Sequence, residues 1–352
     1  MSETPDLNDR ARAGELVTVN LLDGAQPINE AARRKLEQTP RVLTEQQLIK
    51  RSYDRAVSHE DRKSCTSIHW RIDFATGGMR PGHVWVFGAE TNWGKTTYAV
   101  AVVDENIHDG KRALIVSSED DESLYGDRLL ARRAKAELDS KGIKFSAARM
   151  RAGRMSVDEL DAITAVTAKA QDKPVFLDAR GKSIENICRQ ANALVHGENI
   201  DLIVFDYLQE FRSEFQYKDE RVKFRDIASQ MRGVIKSNSI TGIILSQITV
   251  MEGKKYPDKH SIRESRDVSN AAEVVALGFT PVQNIMKADG SDVLVNAGAR
   301  CIKIDKAKDG RKVTVEVDWD EFAATFCRTR AHHDPLIQDA QFDDMFDNYR
   351  ST

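Results

Sequence analysis

Short runs that are apolar at nearly every position, not at every second one, punctuate this chain and restrict what it can fold into. They fall at residues 84–88, 113–117, 174–177, 202–206, 242–246, 274–279, 301–304 and 313–317. A strand with one wet face alternates apolar and polar residues, whereas a strand that is apolar throughout needs cover on both faces. Longer amphipathic stretches separate several of the runs. In residues 183–196, for example, Ile184, Ile187, Cys188, Ala191, Leu194 and Val195 share one helical face. The alternation predicts an α/β fold, a mostly parallel twisted sheet flanked by helices. The last two runs are joined through Asp309-Gly310 and read as a C-terminal antiparallel hairpin at the sheet edge.

Composition narrows the setting. Of 352 residues 41% are apolar, enough for a substantial core, and the net charge of −3 argues against a protein that coats nucleic acid over its whole surface. A nucleic-acid surface would have to be a local basic patch. Cys65, Cys188, Cys301 and Cys327 are far apart and form no CxxC pair, which excludes a zinc ribbon and disfavours a disulfide framework. No apolar run approaches membrane-spanning length, and the first residues lack the pattern of a secretory signal. A soluble, reducing, cytoplasmic setting without a membrane partner is expected.

Four segments are expected along the chain. Residues 1–27 are polar and read as a flexible arm. Residues 28–65 read as a helical linker, with Thr44 and Gln47 as a capping box. The stripe Leu48, Ile49, Tyr53, Ala56 and Val57 packs either on its own domain or on a neighbouring subunit. Residues 66–328 hold the α/β domain. Residues 329–352 are acidic with scattered aromatics and read as a tail that attracts partners.

The segment Val84-Trp-Val-Phe-Gly-Ala-Glu-Thr-Asn-Trp-Gly-Lys-Thr-Thr97 runs from a strand through a tight loop into a helix. That is the context of a P-loop, in which backbone N–H groups and a helix N-terminus face phosphate oxygens. Ala89, Glu90, Thr91, Asn92, Trp93, Gly94, Lys95, Thr96 and Thr97 are the candidate nucleotide-binding residues. Lys95 would reach the β- and γ-phosphates of ATP, and Thr96 would offer its hydroxyl to Mg²⁺. The first consensus glycine is replaced by Ala89, so the flanking strand and helix carry much of the inference. Asp206 ends the run 202–206 and is the second candidate for the Mg²⁺ shell. Tyr207 follows it, not Glu, so a general base must come from another strand. Glu119, just past the run 113–117, fits that role, although the acidic run 119–122 also suits a helix cap. Gln247 ends a further strand, where it would sense the γ-phosphate.

Residues 89–97, Leu114-Ile-Val-Ser-Ser-Glu119, Leu202-Ile-Val-Phe-Asp-Tyr-Leu-Gln209, Ile244-Leu-Ser-Gln247, Ile262-Arg-Glu-Ser265 and Lys306-Ala-Lys308 resemble, in order and approximate spacing, the C-terminal motor domain of DnaB-type replicative helicases. The resemblance covers about residues 66–320. It implies a RecA-like P-loop NTPase core and an ATP-hydrolysing helicase that forms homohexameric rings and translocates 5′ to 3′ on single-stranded DNA during replication. Glu119 then matches the catalytic glutamate, Asp206 the Mg²⁺-associated aspartate and Gln247 the γ-phosphate sensor. Lys306 and Lys308 match the basic pair that reaches a neighbouring subunit's ATP. Lys308 stands where that family commonly has Arg, and Arg266 where it usually has Gly. Too few residues precede the motor for the family's N-terminal collar domain, as expected of a short phage- or plasmid-like version.

Two basic segments follow core strands. Arg212, Lys218, Arg221, Lys223 and Arg225 are interleaved with aromatics, and the second segment holds Lys254, Lys255, Lys259, Arg263 and Arg266. Lys254, Lys255, Arg263, Glu264 and Arg266 are the candidate DNA-contacting residues, placed to follow a phosphate backbone without reading bases. Two other readings stay open. One is a RecA- or RadA-like strand-exchange ATPase, suited to the lysine pair. The other is an ATPase switch or loader that does not unwind.

Overall fold

The computed structural model describes residues 44–57, 64–171, 175–248, 256–262, 266–286, 292–296 and 298–330. The chain divides by contacts into residues 1–61 and 62–352. In the first unit the described element is helix α1 (Glu45–Val57). Thr44 and Gln47 form the expected reciprocal cap, with each side chain accepting from the other's backbone N–H, at 3.2 and 3.0 Å. Leu48, Ile49 and Tyr53 are exposed on this helix. The expected arm 1–27 lies outside the described residues, as do residues 331–352 of the expected tail 329–352, whose first residue, Thr329, bonds to the domain through Ile68 and Trp70.

The second unit is built on an eight-stranded sheet. Its strands are β1 (Val84–Ala89), β2 (Ala113–Ser117), β3 (Phe176–Asp178), β4 (Leu202–Asp206), β5 (Thr241–Gln247), β6 (Val274–Phe279), β9 (Arg300–Ala307) and β10 (Thr314–Val317). Strands β7 (Val282–Met286) and β8 (Asp292–Asn296) form a separate hairpin, as do β11 (Trp319–Asp320) and β12 (Thr325–Phe326). The main sheet runs β10-β9-β6-β1-β5-β4-β2-β3. Pairing is parallel from β6 through to β3, and antiparallel at β6–β9 and β9–β10. The mostly parallel sheet with a C-terminal antiparallel pair is the expected architecture. Two details differ. Strand β9 continues to Ala307, so Lys306 is inside it and not after it. The two small hairpins escaped the apolar pattern because both are short and polar in part.

The fully apolar strands are buried on both sides, and the pleat sorts their residues between two cores. Trp85, Phe87, Leu202, Val204, Ile243 and Leu245 face one core, together with Tyr98, Ala99 and Val102 of helix α3 (Lys95–His108). Val84, Val86, Ile203, Phe205 and Ile244 face the other, covered by helices α7 (Ile184–Glu198) and α8 (Glu220–Ser237). Helix α7 uses the predicted face. Ser183 caps it by accepting from Asn186 N at 3.3 Å, which makes Ser183 the cap and not the first helical residue.

Three further helices fill in the domain: α4 (Glu122–Asp139), α5 (Ala147–Arg151) and α6 (Val157–Ala168). Glu159, with no exposed surface, ties α5 to α6. It accepts from Ser146 N at 2.8 Å, Ser156 N at 2.9 Å and Arg149 Nη2 at 2.7 Å. These donors hold its carboxyl down at about 2, Arg149 most of all.

Helix α2 (Trp70–Thr76) starts beside Thr329, which follows β12. His69 caps it, its Nδ1 accepting from Arg71 N at 3.2 Å, and the Thr329 carbonyl accepts from Trp70 N. His69 is buried. Burial, then the charge of Arg71, pushes its pKa down from 6.5 to about 4. An imidazole kept neutral in the fold but free to ionise when unfolded contributes fully above about pH 6.5, and that contribution is lost as pH falls toward 4. The loss is worth about 3 kcal/mol. His69→Asn keeps a capping acceptor that cannot ionise, so its stability should fall less steeply across this window. Denaturant unfolding at several pH values measures the difference, and equal slopes would remove His69 from the acid response.

Candidate active site

The parallel register brings the ends of four strands to one edge. Ala89 of β1 pairs with Gln247 of β5, and Asp206 of β4 with Ser117 of β2. Loops leaving this carboxyl edge are where open α/β sheets bind ligands. Of the candidate loop residues, Ala89 is still in β1 and Glu90 to Trp93 make the turn, with Trp93 N donating to Glu90 O at 3.2 Å. Lys95, Thr96 and Thr97 form the first turn of α3. Asn92 and Gly94 have φ of 65° and 100°, a left-handed geometry that suits Gly at position 94. Gly94 caps α3 without a side chain, which leaves the helix N-terminus open toward an anion.

The loop is held from behind. The Trp93 ring is buried, 5.0 Å from Phe326 and 5.6 Å from Phe87. A side chain at Gly278 would strike this ring, its Cβ reaching atoms 2.9 Å away. Arg300 donates to the Trp93 carbonyl and lies 3.7 Å from the centre of the Trp319 ring.

In front of the loop stands Asp206, with no exposed surface. Its Oδ2 accepts from the Tyr125 hydroxyl, while its Oδ1 has no hydrogen-bond partner among the described residues. Burial lifts its pKa, and Tyr125, Lys95 and the Thr96 hydroxyl oppose that shift. The Lys95 ammonium is 3.8 Å from the centre of the Tyr207 ring. Burial lowers its pKa, countered first by Asp206 and then by Glu119. A buried carboxylate oxygen without a donor is costly unless a cation completes it. With the Thr96 hydroxyl beside it, this set fits Mg²⁺, a hard cation that takes few protein ligands and keeps its other positions for water and phosphate.

The acidic run after β2 separates into distinct roles. Asp120 pairs with Arg128 at 2.8 Å. Asp121 caps α4, accepting from Ser123 N and Leu124 N at 3.1 Å each. Glu122 lies 3.5 Å from Arg180. Glu119 is exposed at the turn, and among the described residues nothing holds its carboxylate by a hydrogen bond or ion pair. Loss of solvation, then the charge of Asp206, raises its pKa. A carboxylate with raised basicity beside a phosphate loop is suited to accept a proton.

Gln247 donates to the Thr91 hydroxyl at 2.8 Å, and Gln209 joins the same strand end, donating to Ser246 Oγ at 2.9 Å. Lys306 and Lys308 are not at this edge. Strand β9 runs against β6, pairing Lys306 with Val275 near the start of that strand. The Lys306 ammonium donates to the carbonyls of Ser269 and Asn270, at 3.0 and 2.8 Å, at the end of helix α9 (Arg266–Ala271). Lys308 is exposed. Lys254, Lys255, Arg263 and Glu264 lie outside the described residues, and Arg266 is described only as the first residue of α9. Sequence reasoning missed Tyr125, Gln209 and Arg300. The Asp-Tyr-Leu-Gln string pointed toward Gln209, but Tyr125 and Arg300 carry no motif.

A phosphate loop after a central strand, a buried aspartate ending a nearby strand and a glutamate past a third define a RecA-like P-loop ATPase fold. The DnaB-like helicase C terminal domain model matches residues 66–328, and the chain belongs to that family. The replicative DNA helicase DnaB of Mycobacterium leprae is 25% identical over 173 residues, covering 48% of this chain and 27% of that protein. Its counterpart from Haemophilus influenzae is 22% identical over 227 residues, covering 62% and 46%. The chain thus spans less than half the length of these relatives. A solved structure of a DnaB-like replicative helicase and its interactions with primase matches with a TM-score of 0.68 at 16% identity, over 87% of this chain and 72% of that one. The ATPase domain of G40P matches with a TM-score of 0.68 at 16% identity, over 82% and 100%.

Gly94→Ala tests the loop. A Cβ there would lie 2.7 Å from Arg300 Nη1 and 3.3 Å from the Phe326 ring. The left-handed backbone alone costs about 1–2 kcal/mol for a non-glycine residue. The variant should melt earlier and lose affinity for a fluorescent ATP analogue at least about tenfold, a change of roughly 1.4 kcal/mol. Wild-type binding would exclude this loop as the phosphate cradle.

Proposed function

We propose that this chain hydrolyses ATP and couples the hydrolysis to 5′-to-3′ movement along single-stranded DNA, unwinding duplex during replication as a hexameric ring. The observation that carries the reading is the meeting of Gly94, Lys95, Thr96, Asp206, Glu119 and Gln247 at one sheet edge. Membership of the DnaB-like helicase C-terminal domain family supports the step from an ATPase to a helicase.

In this mechanism the backbone N–H groups of the loop and of the first turn of α3 hold the phosphates. Lys95 leaves the Tyr207 ring to neutralise the β- and γ-phosphate oxygens. Asp206 and Thr96 hold Mg²⁺, which supplies charge neutralisation on the triphosphate when bound. Glu119 orients the attacking water and takes its proton. The Gln247 amide exchanges Thr91 for a γ-phosphate oxygen and so reports the nucleotide state to the chain that follows β5. An antiparallel bridge pairs Ile248, directly after β5, with Ile262. Lys254, Lys255, Arg263, Glu264 and Arg266, which fall between or just after these two residues in the sequence, would follow the DNA backbone. The segment after β4 presents exposed Phe215 among exposed Arg212, Lys218 and Arg221 at the same edge, in support of that path.

Lys306 and Lys308 sit toward the far end of the sheet from their own chain's loop, so a catalytic part for them requires a neighbouring subunit. Lys308 suits it better, because the Lys306 ammonium already serves the last carbonyls of α9.

The decisive experiment compares hydrolysis with and without single-stranded DNA and measures unwinding of a forked duplex with a free 5′ tail. Glu119→Gln should keep nucleotide binding and hydrolyse at least about a hundredfold more slowly, the usual scale for loss of a general base. Unimpaired hydrolysis would move the base elsewhere, and hydrolysis without unwinding would reduce the protein to an ATPase switch. Lys308→Ala tests action across an interface. Mixed with wild type under confirmed subunit exchange, it should lower activity more steeply than dilution does. A linear decline would mean that each subunit works alone.

A further inference from the structure

Asp206 is the most deeply buried charge at the phosphate site, and the way its two oxygens are used is unequal. Oδ1 has no hydrogen-bond partner among the described residues, while Oδ2 is taken by the Tyr125 hydroxyl. Tyr125 belongs to α4, the helix that begins directly after the Glu119 turn and is capped by Asp121. Its ring is 5% exposed and held from two sides. Phe176 of β3 packs at 4.9 Å with a tilt of 49°, and the Arg128 guanidinium stands 5.8 Å from the ring centre. Arg128 is itself fixed by Asp120. The phenol therefore has little freedom to leave Asp206.

The chemistry of the donor matters. A lysine or arginine in this place would satisfy Oδ2 but would also cancel the carboxylate's charge and compete with a divalent cation. A phenol is neutral, donates one hydrogen bond and leaves the negative charge available. It also fixes the carboxylate plane, so the remaining oxygen has a set direction. Partners that orient a ligating carboxylate in this way change metal affinity by about 10- to 100-fold when removed.

We propose that Tyr125 is a positioning residue for Asp206, its hydroxyl holding one carboxylate oxygen so that the other is presented to the Mg²⁺ that accompanies the nucleotide. The inference rests on the phosphate-site reading above and adds a residue on α4 to it. It joins the turn that bears Glu119 to the carboxylate on β4, so the cation and the proton acceptor are set by one helix.

The test uses the full chain and a fluorescent ATP analogue, bound first in EDTA and then at graded Mg²⁺, with the Mg²⁺ dependence of hydrolysis measured in parallel. Tyr125→Phe keeps the ring and removes the hydroxyl. It should raise the Mg²⁺ midpoint for nucleotide binding about tenfold, leave binding in EDTA unchanged, and recover hydrolysis at saturating Mg²⁺. Tyr125→Leu, which loses ring and hydroxyl together, should show the same midpoint as Tyr125→Phe, with a larger loss of melting temperature. A wild-type midpoint in Tyr125→Phe, with Mg²⁺-dependent binding intact in the wild type, overturns the role of the hydroxyl alone. A shift in Tyr125→Leu but not in Tyr125→Phe overturns it too, and assigns the effect to packing. If the wild type itself binds nucleotide without any Mg²⁺ dependence, the phosphate-site reading fails and this inference falls with it.

Discussion

A carboxylate with no exposed surface is among the costlier groups a fold can contain unless charge and donors are delivered to it. Asp206 is such a group, and the surrounding elements are arranged to serve it. Helix α3 brings Lys95 and the Thr96 hydroxyl, α4 brings Tyr125, and β2 places Ser117 alongside. None of these cancels the charge outright. Burial makes the Lys95 ammonium more costly to keep charged as well, so the two ions stabilise each other at the end of a hydrophobic sheet. A neutral or well-paired residue at position 206 would be cheaper for stability, and would leave nothing for a cation to complete.

The second dependence is mechanical. A phosphate loop must hold its backbone N–H groups in place before the ligand arrives, and here that rigidity comes from outside the loop. The Trp93 ring is wedged against Gly278, and Phe326 of the small β11–β12 hairpin stacks on it. Arg300, at the start of β9, grips the carbonyl of the same residue. From the other side Gln247 holds Thr91. Segments from the last third of the chain thus brace a loop from its first third, so a substitution near the C-terminal hairpins would disturb the loop from behind without touching its open face.

Much of this was legible in the sequence where a single physical rule dominates. Strands apolar on both faces admit few architectures; the run 202–206 was found with both ends correct, and Gln247 as the end of β5, although that strand begins one residue earlier than expected, at Thr241. Glu119 was legible because it stands just beyond a strand, although its separation from Asp120, Asp121 and Glu122 needed three dimensions. Asp121 took the cap and Arg128 took Asp120. Tyr125 was not legible, because an aromatic on an amphipathic helix reads as core, and it is core apart from one oxygen. Arg300 was hidden for a similar reason, since its partner is a backbone carbonyl far away in the chain. The strands of β7–β8 are interrupted by Gln283, Asn284, Asp292 and Asn296, and those of β11–β12 are two residues long, so neither hairpin gives an apolar run. The basic residues expected to follow DNA fall mostly outside the described residues, so their placement rests on the strand they follow.

The position of β1 has a consequence for how the chain is made. This strand carries the phosphate loop, yet both of its neighbours, β5 and β6, are formed by residues 241–247 and 274–279. A nascent chain emerging from its N-terminal end exposes β1, apolar on both faces, long before either partner strand has been synthesised. Pairings of such high sequence separation are slow to form and leave strand edges open to wrong partners meanwhile. During synthesis the segment needs shielding, and occupancy by nucleotide cannot supply it, because the cradle does not exist until the sheet has closed around it. A ligand that recognises only the closed sheet would therefore stabilise only those chains whose two halves have already found each other.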